Sequence, residues 1–322
     1  MNDILKMSVT SIQIITIYIT NITSYVLLVL RNIGCLCNFL TFTSKSLRRN
    51  SCGWYLLMSA LFDFCYINFG LLTKIVSDQH GSKLQNTNLA WCKIRTYFTW
   101  ILPCFATSFL VLASLDRCLS TFTNATLRSF SQLKVAYRMT CVPLILYSLT
   151  TSHQFFYYVL QPDCVPLPGI YSFFLSMYSI IWTNLIPQSA IIVFGLITYY
   201  NIHKIRQRLS HPTTLQRSRA DSHLIIITLV QVLCSSILLN IRTIYYSYTV
   251  LSKSLIKDEY RQAVENMLLQ ISSLLFYLNF SKNFFINTLS SKLFRRVFHK
   301  RMAIISRQIF CRKLRIHPTQ EQ

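Results

Sequence analysis

Apolar residues along the chain are grouped into long runs separated by short polar stretches. Each run holds roughly 20 to 30 residues, and a helix needs about 20 to cross the hydrocarbon core of a bilayer. The pattern predicts seven membrane-spanning helices, at 18–43, 53–73, 91–119, 136–160, 170–200, 222–250 and 265–289. The sequence lacks the alternating segments of about ten residues that a transmembrane β-barrel needs. We therefore expect an all-α membrane protein.

Basic residues in the loops predict which side of the membrane each loop faces. They are concentrated after the first, third and fifth predicted spans and in the tail, for example at Lys45, Arg128, Arg208 and Arg296. Because cytoplasmic loops carry an excess of lysine and arginine, we expect a cytoplasmic C-terminus and, with an odd number of spans, an extracellular N-terminus. The first residues lack the pattern of a cleavable signal peptide, so the first span is expected to direct insertion into the plasma membrane.

A basic amphipathic segment follows the seventh run, at 291–305. Its apolar residues repeat at helical spacing among lysines and arginines, at Leu293, Phe294, Val297 and Met302. Such a segment is typical of a helix that lies on the inner membrane surface. The predicted organisation is a short extracellular N-terminus at 1–17, a seven-helix transmembrane bundle at 18–289, and an amphipathic helix with a basic cytoplasmic tail at 290–322.

The formal net charge of +22 would also suit a nucleic-acid-binding protein. The positive charge, however, is concentrated in alternate loops and in the tail rather than spread over one surface. We therefore expect the lipid bilayer to be a partner and nucleic acid not to be one.

Only two of the 11 cysteines, Cys92 and Cys164, fall on the predicted outer side of the membrane. Disulfides persist on that oxidising side, so a bond between the two would hold the loop after span four over the outer mouth of the bundle. Two unrelated free thiols are the alternative. The sequence shows no metal-binding spacing and no nucleophile–base pair or phosphate loop. We therefore expect the protein neither to bind a metal ion nor to act as an enzyme.

Several short motifs lie one after another along the predicted spans. Asn38 lies in GCLCNFL, Asp63 in SALFDF, the pair Asp116 and Arg117 in SLDRCLS, and a single proline, Pro187, in span five. Cys92 also precedes Arg117 by 25 residues. In order and spacing the chain resembles the rhodopsin-like class of G-protein-coupled receptors, as a divergent member.

The resemblance implies that the chain transmits an extracellular signal to a heterotrimeric G protein. The segment NFSKNFFINTL resembles the Asn-Pro-x-x-Tyr motif, with Phe284 at the proline position and Asn287 at the tyrosine position. Span six lacks the proline and tryptophan of the family, and span four lacks its tryptophan. These departures keep open a receptor-like protein that does not signal, acting as a scavenger or dimer partner; a membrane transporter is the remaining alternative.

The resemblance also implies roles for buried polar residues. Asp116 and Arg117 would form the activation switch that meets the G protein, with Asp221 as a second partner of the arginine. Asp63 has no lysine or arginine beside it in the sequence. Together with Asn38, Asn279 and Asn283 it would bind a sodium ion as an allosteric modulator, or form a polar network around a protonated carboxyl group.

A ligand is expected in the outer half of the bundle. The candidate contact residues are Thr99, Trp100, Pro103, Arg242, Tyr246 and Tyr277. Receptors for biogenic amines have an aspartate where Thr99 stands, and opsins have a lysine where Tyr277 stands, so the resemblance favours a peptide ligand. A buried Arg242 needs an acceptor, which a ligand carboxylate, Glu265 or a lipid phosphate could supply.

Overall fold

The computed structural model of the chain describes residues 2–44, 50–79, 84–160, 163–208, 233–252, 255–290 and 292–316. Almost all of these residues are helical. The long helices are α1 (Asn2–Phe42), α2 (Ser51–Tyr66), α5 (Leu89–Ser120), α11 (Ile186–Arg208), α12 (233–251), α13 (Glu259–Ser281) and α15 (Lys292–Ile316). The shorter ones are α3 (Leu72–Gln79), α4 (Leu84–Thr87), α6 (Ala125–Ser129), α7 (Leu133–Met139), α8 (Cys141–Thr151), α9 (Gln154–Tyr157), α10 (Ile170–Met177) and α14 (Asn283–Ser290).

Four helical stretches within the described ranges are long and apolar enough to cross a membrane: Lys6–Phe42, Ser51–Ser77, Leu89–Ser120 and Ile170–Lys204. Their outward faces are apolar, as Ile15, Val29 and Ile33 of α1 illustrate, each at least half exposed. Large apolar side chains on an outer helical surface are stable in lipid and unfavourable in water. The fold is therefore that of an all-α, membrane-embedded protein.

The predicted first and fourth spans differ from the helices that form. Helix α1 begins at Asn2, so residues before 18 continue the first helix instead of forming a separate segment; this region contains no glycine or proline that would end a helix. The fourth span is interrupted after Met139, because the ring of Pro143 cannot coexist with a helical hydrogen bond to the carbonyl group of Met139.

The predicted fourth span also ends early, in a β-hairpin. Tyr158–Leu160 forms strand β1, which pairs antiparallel with strand β2, Cys164–Pro166. Gly169, with a φ of 100°, follows β2 and begins the turn into α10. The three apolar residues of β1 resemble membrane-spanning sequence, but the hairpin pairing places them across the end of the helices.

Two π-helical segments continue the helices on either side of the core. Ile67–Leu71 (π1) joins α2 to α3, and Tyr178–Leu185 (π2) joins α10 to α11. The core itself is formed mainly by α2 packing along α5, with Ile67, Leu71 and Phe109 fully buried. Because α5 also contacts α8 and α11, it is the central helix of the assembly.

Polar side chains form hydrogen bonds between helices throughout this core. Ser59 donates to the carbonyl oxygen of Ala106 at 3.0 Å, and Asn68 donates to Asn32 at 2.9 Å. Asn184 of π2 donates to Asn240 of α12 at 2.7 Å. Hydrogen bonds of this kind hold helices together inside a membrane, where the hydrophobic effect does not.

The C-terminal helix α15 packs against the ends of α1 and α14. Phe294 is buried between Phe42 and Phe284, with ring centroids 5.5 and 6.1 Å apart. Arg301 donates to the carbonyl oxygen of Thr43 at 3.0 Å. Phe284 therefore anchors the amphipathic helix predicted at 291–305, and this helix extends to Ile316.

Candidate functional site

A cavity of about 1090 Å³ lies between the first half of α5 and helices α12 and α13. All six residues predicted as ligand contacts line it: Thr99, Trp100, Pro103, Arg242, Tyr246 and Tyr277. The volume is at the upper end of the range for small-ligand pockets. Residues from three separate helices thus line one continuous cavity, and the binding of a ligand there stays a prediction.

The hairpin covers one side of this cavity. Cys92 at the start of α5 and Cys164 in β2 form a disulfide, with their Cα atoms 5.7 Å apart. Asn86 fixes the same loop, since its side chain donates to Asp163 at 2.6 Å and accepts from the backbone N–H of Cys164 at 3.3 Å. Val165 of β2 lines the cavity directly, so the disulfide determines the position of part of its wall.

Aromatic and phenolic side chains form another part of the wall. Tyr158 and Tyr246 share a hydrogen bond between their hydroxyl oxygens at 3.2 Å. Trp100 packs edge to face on Tyr246, and Tyr66 stacks on Tyr277, each with ring centroids 5.6 Å apart. Tyr66 and Tyr158 also line the cavity but were not among the predicted ligand contacts. Tyr66 faces the cavity at the junction of α2 with π1, and Tyr158 reaches it through the hairpin.

Arg242 of α12 projects into the cavity wall. Its guanidinium group lies 5.2 Å from the ring centroid of Tyr246, and its Nη1 atom is buried without a hydrogen-bond partner among the described residues. Glu265 does not supply the acceptor: its carboxylate instead accepts from Lys257, from Tyr248 at 2.8 Å and from Arg261 at 3.0 Å. Of the acceptors considered for Arg242, the ligand carboxylate and the lipid phosphate remain.

Two further cations line the same cavity. Lys74 of α3 donates to Gln270 at 2.6 Å, and Arg95 of α5 donates to Thr73 at 3.0 Å. Among the lining residues that the structure describes, none is an aspartate or a glutamate. The cavity therefore presents basic, phenolic and amide groups to a ligand.

Asp63 lies deeper in the bundle and forms an ion pair that the sequence prediction did not include. Its carboxylate lies 3.3 Å from Nη2 of Arg31 in α1, and both side chains are almost fully buried. Asn283 donates to the same carboxylate at 2.8 Å. The arginine was detectable from sequence, since it is a charge inside the apolar run YVLLVLRNIG, where ionisable residues indicate a functional position.

Lys282 contributes a second cation to this cluster. It donates to Ser235 at 2.6 Å and to the backbone and side-chain carbonyl oxygens of Asn279. A cavity of about 20 Å³ is lined by Asp63, Asn279, Lys282 and Asn283, which is room for about one water molecule. We refer to Arg31, Asp63 and Lys282 as the charge cluster.

The charge cluster changes the expectation of a sodium site. The prediction rested on a carboxylate surrounded by amides, whereas Arg31 forms an ion pair with Asp63 and Lys282 lines the same small cavity. Asn38 is buried, and its side-chain oxygen has no hydrogen-bond partner among the described residues. Of the two predicted alternatives, this geometry favours the protein-internal polar network over the sodium ion.

Asp116 and Arg117 lie in the last turn of α5, at the end away from the large cavity. Asp116 is buried and accepts a hydrogen bond from Ser131 at 2.9 Å, while Arg117 is half-buried. Ser131 precedes α7, so the carboxylate is bonded to the segment that follows α6. Asp221, proposed as a second partner of Arg117, lies outside the described residues.

The chain matches no protein-family model, and no curated protein is significantly similar to it. Its function is therefore inferred from its own residues and their geometry.

Proposed function

We propose that the chain is a divergent rhodopsin-like G-protein-coupled receptor, which binds an extracellular ligand and activates a heterotrimeric G protein in the cytoplasm. The proposal includes seven membrane spans, an extracellular N-terminus and a cytoplasmic C-terminus at the plasma membrane. Four of the proposed spans are the long apolar helical stretches. The other three are the interrupted segment of α7 and α8, helix α12, and helix α13 with α14. The distribution of basic residues among the loops supports this orientation.

The observation that carries the proposal is the arrangement of α5. The first half of this helix lines a large cavity, and its last turn holds the buried Asp116 and the half-buried Arg117. Thr107 is the last α5 residue in the cavity wall, and nine residues at 1.5 Å each separate it from Asp116, a distance of about 14 Å. One rigid element therefore connects a ligand-sized cavity with an ionisable pair at the opposite end.

The polar groups between these two ends could transmit a change of conformation. The charge cluster joins α1, α2 and the end of α13, and Lys282 also bonds to Ser235 of α12. A ligand that binds one arrangement of α12 better than another would shift the population of these contacts. Buried ion pairs and hydrogen bonds that exchange partners are a recurrent form of two-state element in proteins.

The test measures G-protein activation in cells that express the full chain with an epitope tag at each terminus. We expect the N-terminal tag to be labelled on intact cells and the C-terminal tag only after permeabilisation. Basal activation of at least one G-protein class should exceed that of cells without the receptor, and Arg117→Ala should abolish it. Arg128→Ala is the matched control, since this arginine is exposed in the neighbouring helix α6 and does not belong to the Asp116–Arg117 pair.

Two results would contradict the proposal at different levels. Tags on the same side of the membrane would eliminate the seven-span topology and the residue roles attached to it. Surface expression in the predicted orientation without activation of any G-protein class, basal or ligand-stimulated, would instead favour the receptor-like protein that does not signal.

A further inference from the structure

We infer that the large cavity binds a ligand bearing a carboxylate next to an aromatic group, and that Arg242 is the residue that binds the carboxylate. The inference rests on the proposed function only in taking this cavity as the ligand site. It names the ligand chemistry, which the receptor proposal leaves open.

The first step is the incomplete environment of Arg242. A buried guanidinium group loses its hydration and requires acceptors that replace the lost water. Its contact with the ring of Tyr246 offers a cation–π interaction but no hydrogen-bond acceptor, and Nη1 is left without one among the described residues. Glu265 of α13, which was considered as an acceptor for Arg242, is held by Lys257, Arg261 and Tyr248.

The second step is the sign of the charge around the ligand. Arg242, Lys74 and Arg95 all line the cavity, and none of its described lining residues is acidic. A basic site of this kind favours an anion and disfavours a ligand amine, because a like charge would meet the guanidinium group in a region of low dielectric constant. The planar fork of an arginine also matches the two oxygens of a carboxylate.

The third step is the body of the ligand. Trp100, Phe276 and Tyr277 line the cavity beside Arg242, together with Tyr66 and Tyr246. Aromatic rings pack on aromatic walls in edge-to-face or offset arrangements and gain stability beyond the area that they bury. Two kinds of ligand combine a carboxylate with an aromatic ring in this way. One is a free aromatic acid, and the other is a peptide whose C-terminal residue is aromatic.

The experiment compares matched acids and amides by their effect on the melting temperature of the purified full-length protein. Phenylacetate and phenylacetamide represent the free acid, and the peptide Gly-Gly-Phe with a free or an amidated C-terminus represents the peptide. We expect the acid of a pair to stabilise the protein and the amide to have no effect. The pair that responds at the lower concentration distinguishes the two sources.

Variants assign the carboxylate to Arg242. Arg242→Met should weaken the binding of the acid by at least about tenfold, the loss expected for a charge-assisted hydrogen bond. Arg242→Lys keeps the charge, loses the fork, and should bind with intermediate affinity while still discriminating against the amide. Arg261→Met is the matched control, since Arg261 is exposed and pairs with Glu265, and it should bind the acid as well as the wild type does.

The inference is overturned if acids and amides stabilise the protein equally, or if no carboxylate probe stabilises it at millimolar concentration. It is also overturned if Arg242→Met retains the preference for the acid. If Arg242→Met does not fold, the inference is still tested by the comparison of acids with amides on the wild type and by the acid affinity of Arg242→Lys. None of these measurements uses a G protein, so a failure here leaves the signalling proposal to its own test.

Discussion

Removing the charge of Asp63 should destabilise the protein more than removing the charge of Arg31. The two side chains are 3% and 2% exposed, and the charged atoms lie 3.3 Å apart. At this distance opposite charges attract by about 5 kcal/mol when the effective dielectric constant is about 20. Breaking a buried pair costs about 3–5 kcal/mol, because the remaining charge is left without compensation.

The charge cluster contains two basic side chains and one carboxyl group, and this imbalance orders the variants. Asp63→Asn leaves Arg31 and Lys282 both buried without a carboxylate, so we expect it to lose the full amount, about 3–5 kcal/mol. Arg31→Met leaves Asp63 in the same small cavity as Lys282, which compensates the carboxylate, and the loss should be smaller.

The assay is thermal unfolding of the purified protein in detergent. At roughly 2 °C per kcal/mol for a large domain, Asp63→Asn should lower the apparent melting temperature by about 6–10 °C. The double variant Asp63→Asn with Arg31→Met completes a thermodynamic cycle. We expect its effect to differ from the sum of the two single effects, because the effects of contacting residues are not additive. Arg261→Met controls for the loss of an arginine, because its partly exposed pair with Glu265 is worth less than about 1 kcal/mol. Additive effects, or a larger loss in Arg31→Met, would refute the reasoning.

Two further predictions concern sodium and the disulfide. Exchanging sodium for an organic cation at constant ionic strength should leave the wild-type melting temperature unchanged, since Asp63 is already paired with Arg31 and shares a small cavity with Lys282. The double variant Arg31→Met with Lys282→Met should become sodium-stabilised; a sodium response in the wild type alone would contradict this. The disulfide closes a separation of 72 residues and, in the chain-entropy model, contributes up to about 4 kcal/mol. Dithiothreitol should therefore lower the melting temperature of the wild type and leave Cys92→Ser with Cys164→Ser unaffected, and equal responses would contradict the role of the bond.

The length of an apolar run predicted the helices well where polar residues bound it on both sides. The third and fifth spans, expected at 91–119 and 170–200, correspond to Leu89–Ser120 and to the helical stretch from Ile170 to Arg208. The end of the fourth span was not predictable in this way. Tyr158–Leu160 is apolar, and only its pairing with a strand later in the chain makes it part of a hairpin.

The candidate site was partly predictable for the same reason. Positions inferred from the resemblance, such as Thr99 and Tyr277, depend on helix register, and both line the large cavity. Arg31 and Asp63 lie on different helices, so neighbouring residues in the sequence give no sign that they meet. A charge inside an apolar run could have indicated that Arg31 has a buried partner, but not which residue that partner is.

The π-helical segments described above mean that the wall of the large cavity depends on one additional residue in each of two helices. A π turn holds more residues than an α turn, so side chains before and after it point in directions that a continuous α-helix would not give them. Tyr66 immediately precedes π1, and Ser179, Thr183 and Asn184 belong to π2; all four line the cavity. Insertion or loss of a single codon in these stretches would therefore reshape the cavity wall while both helices remained continuous, and so change which molecules fit there.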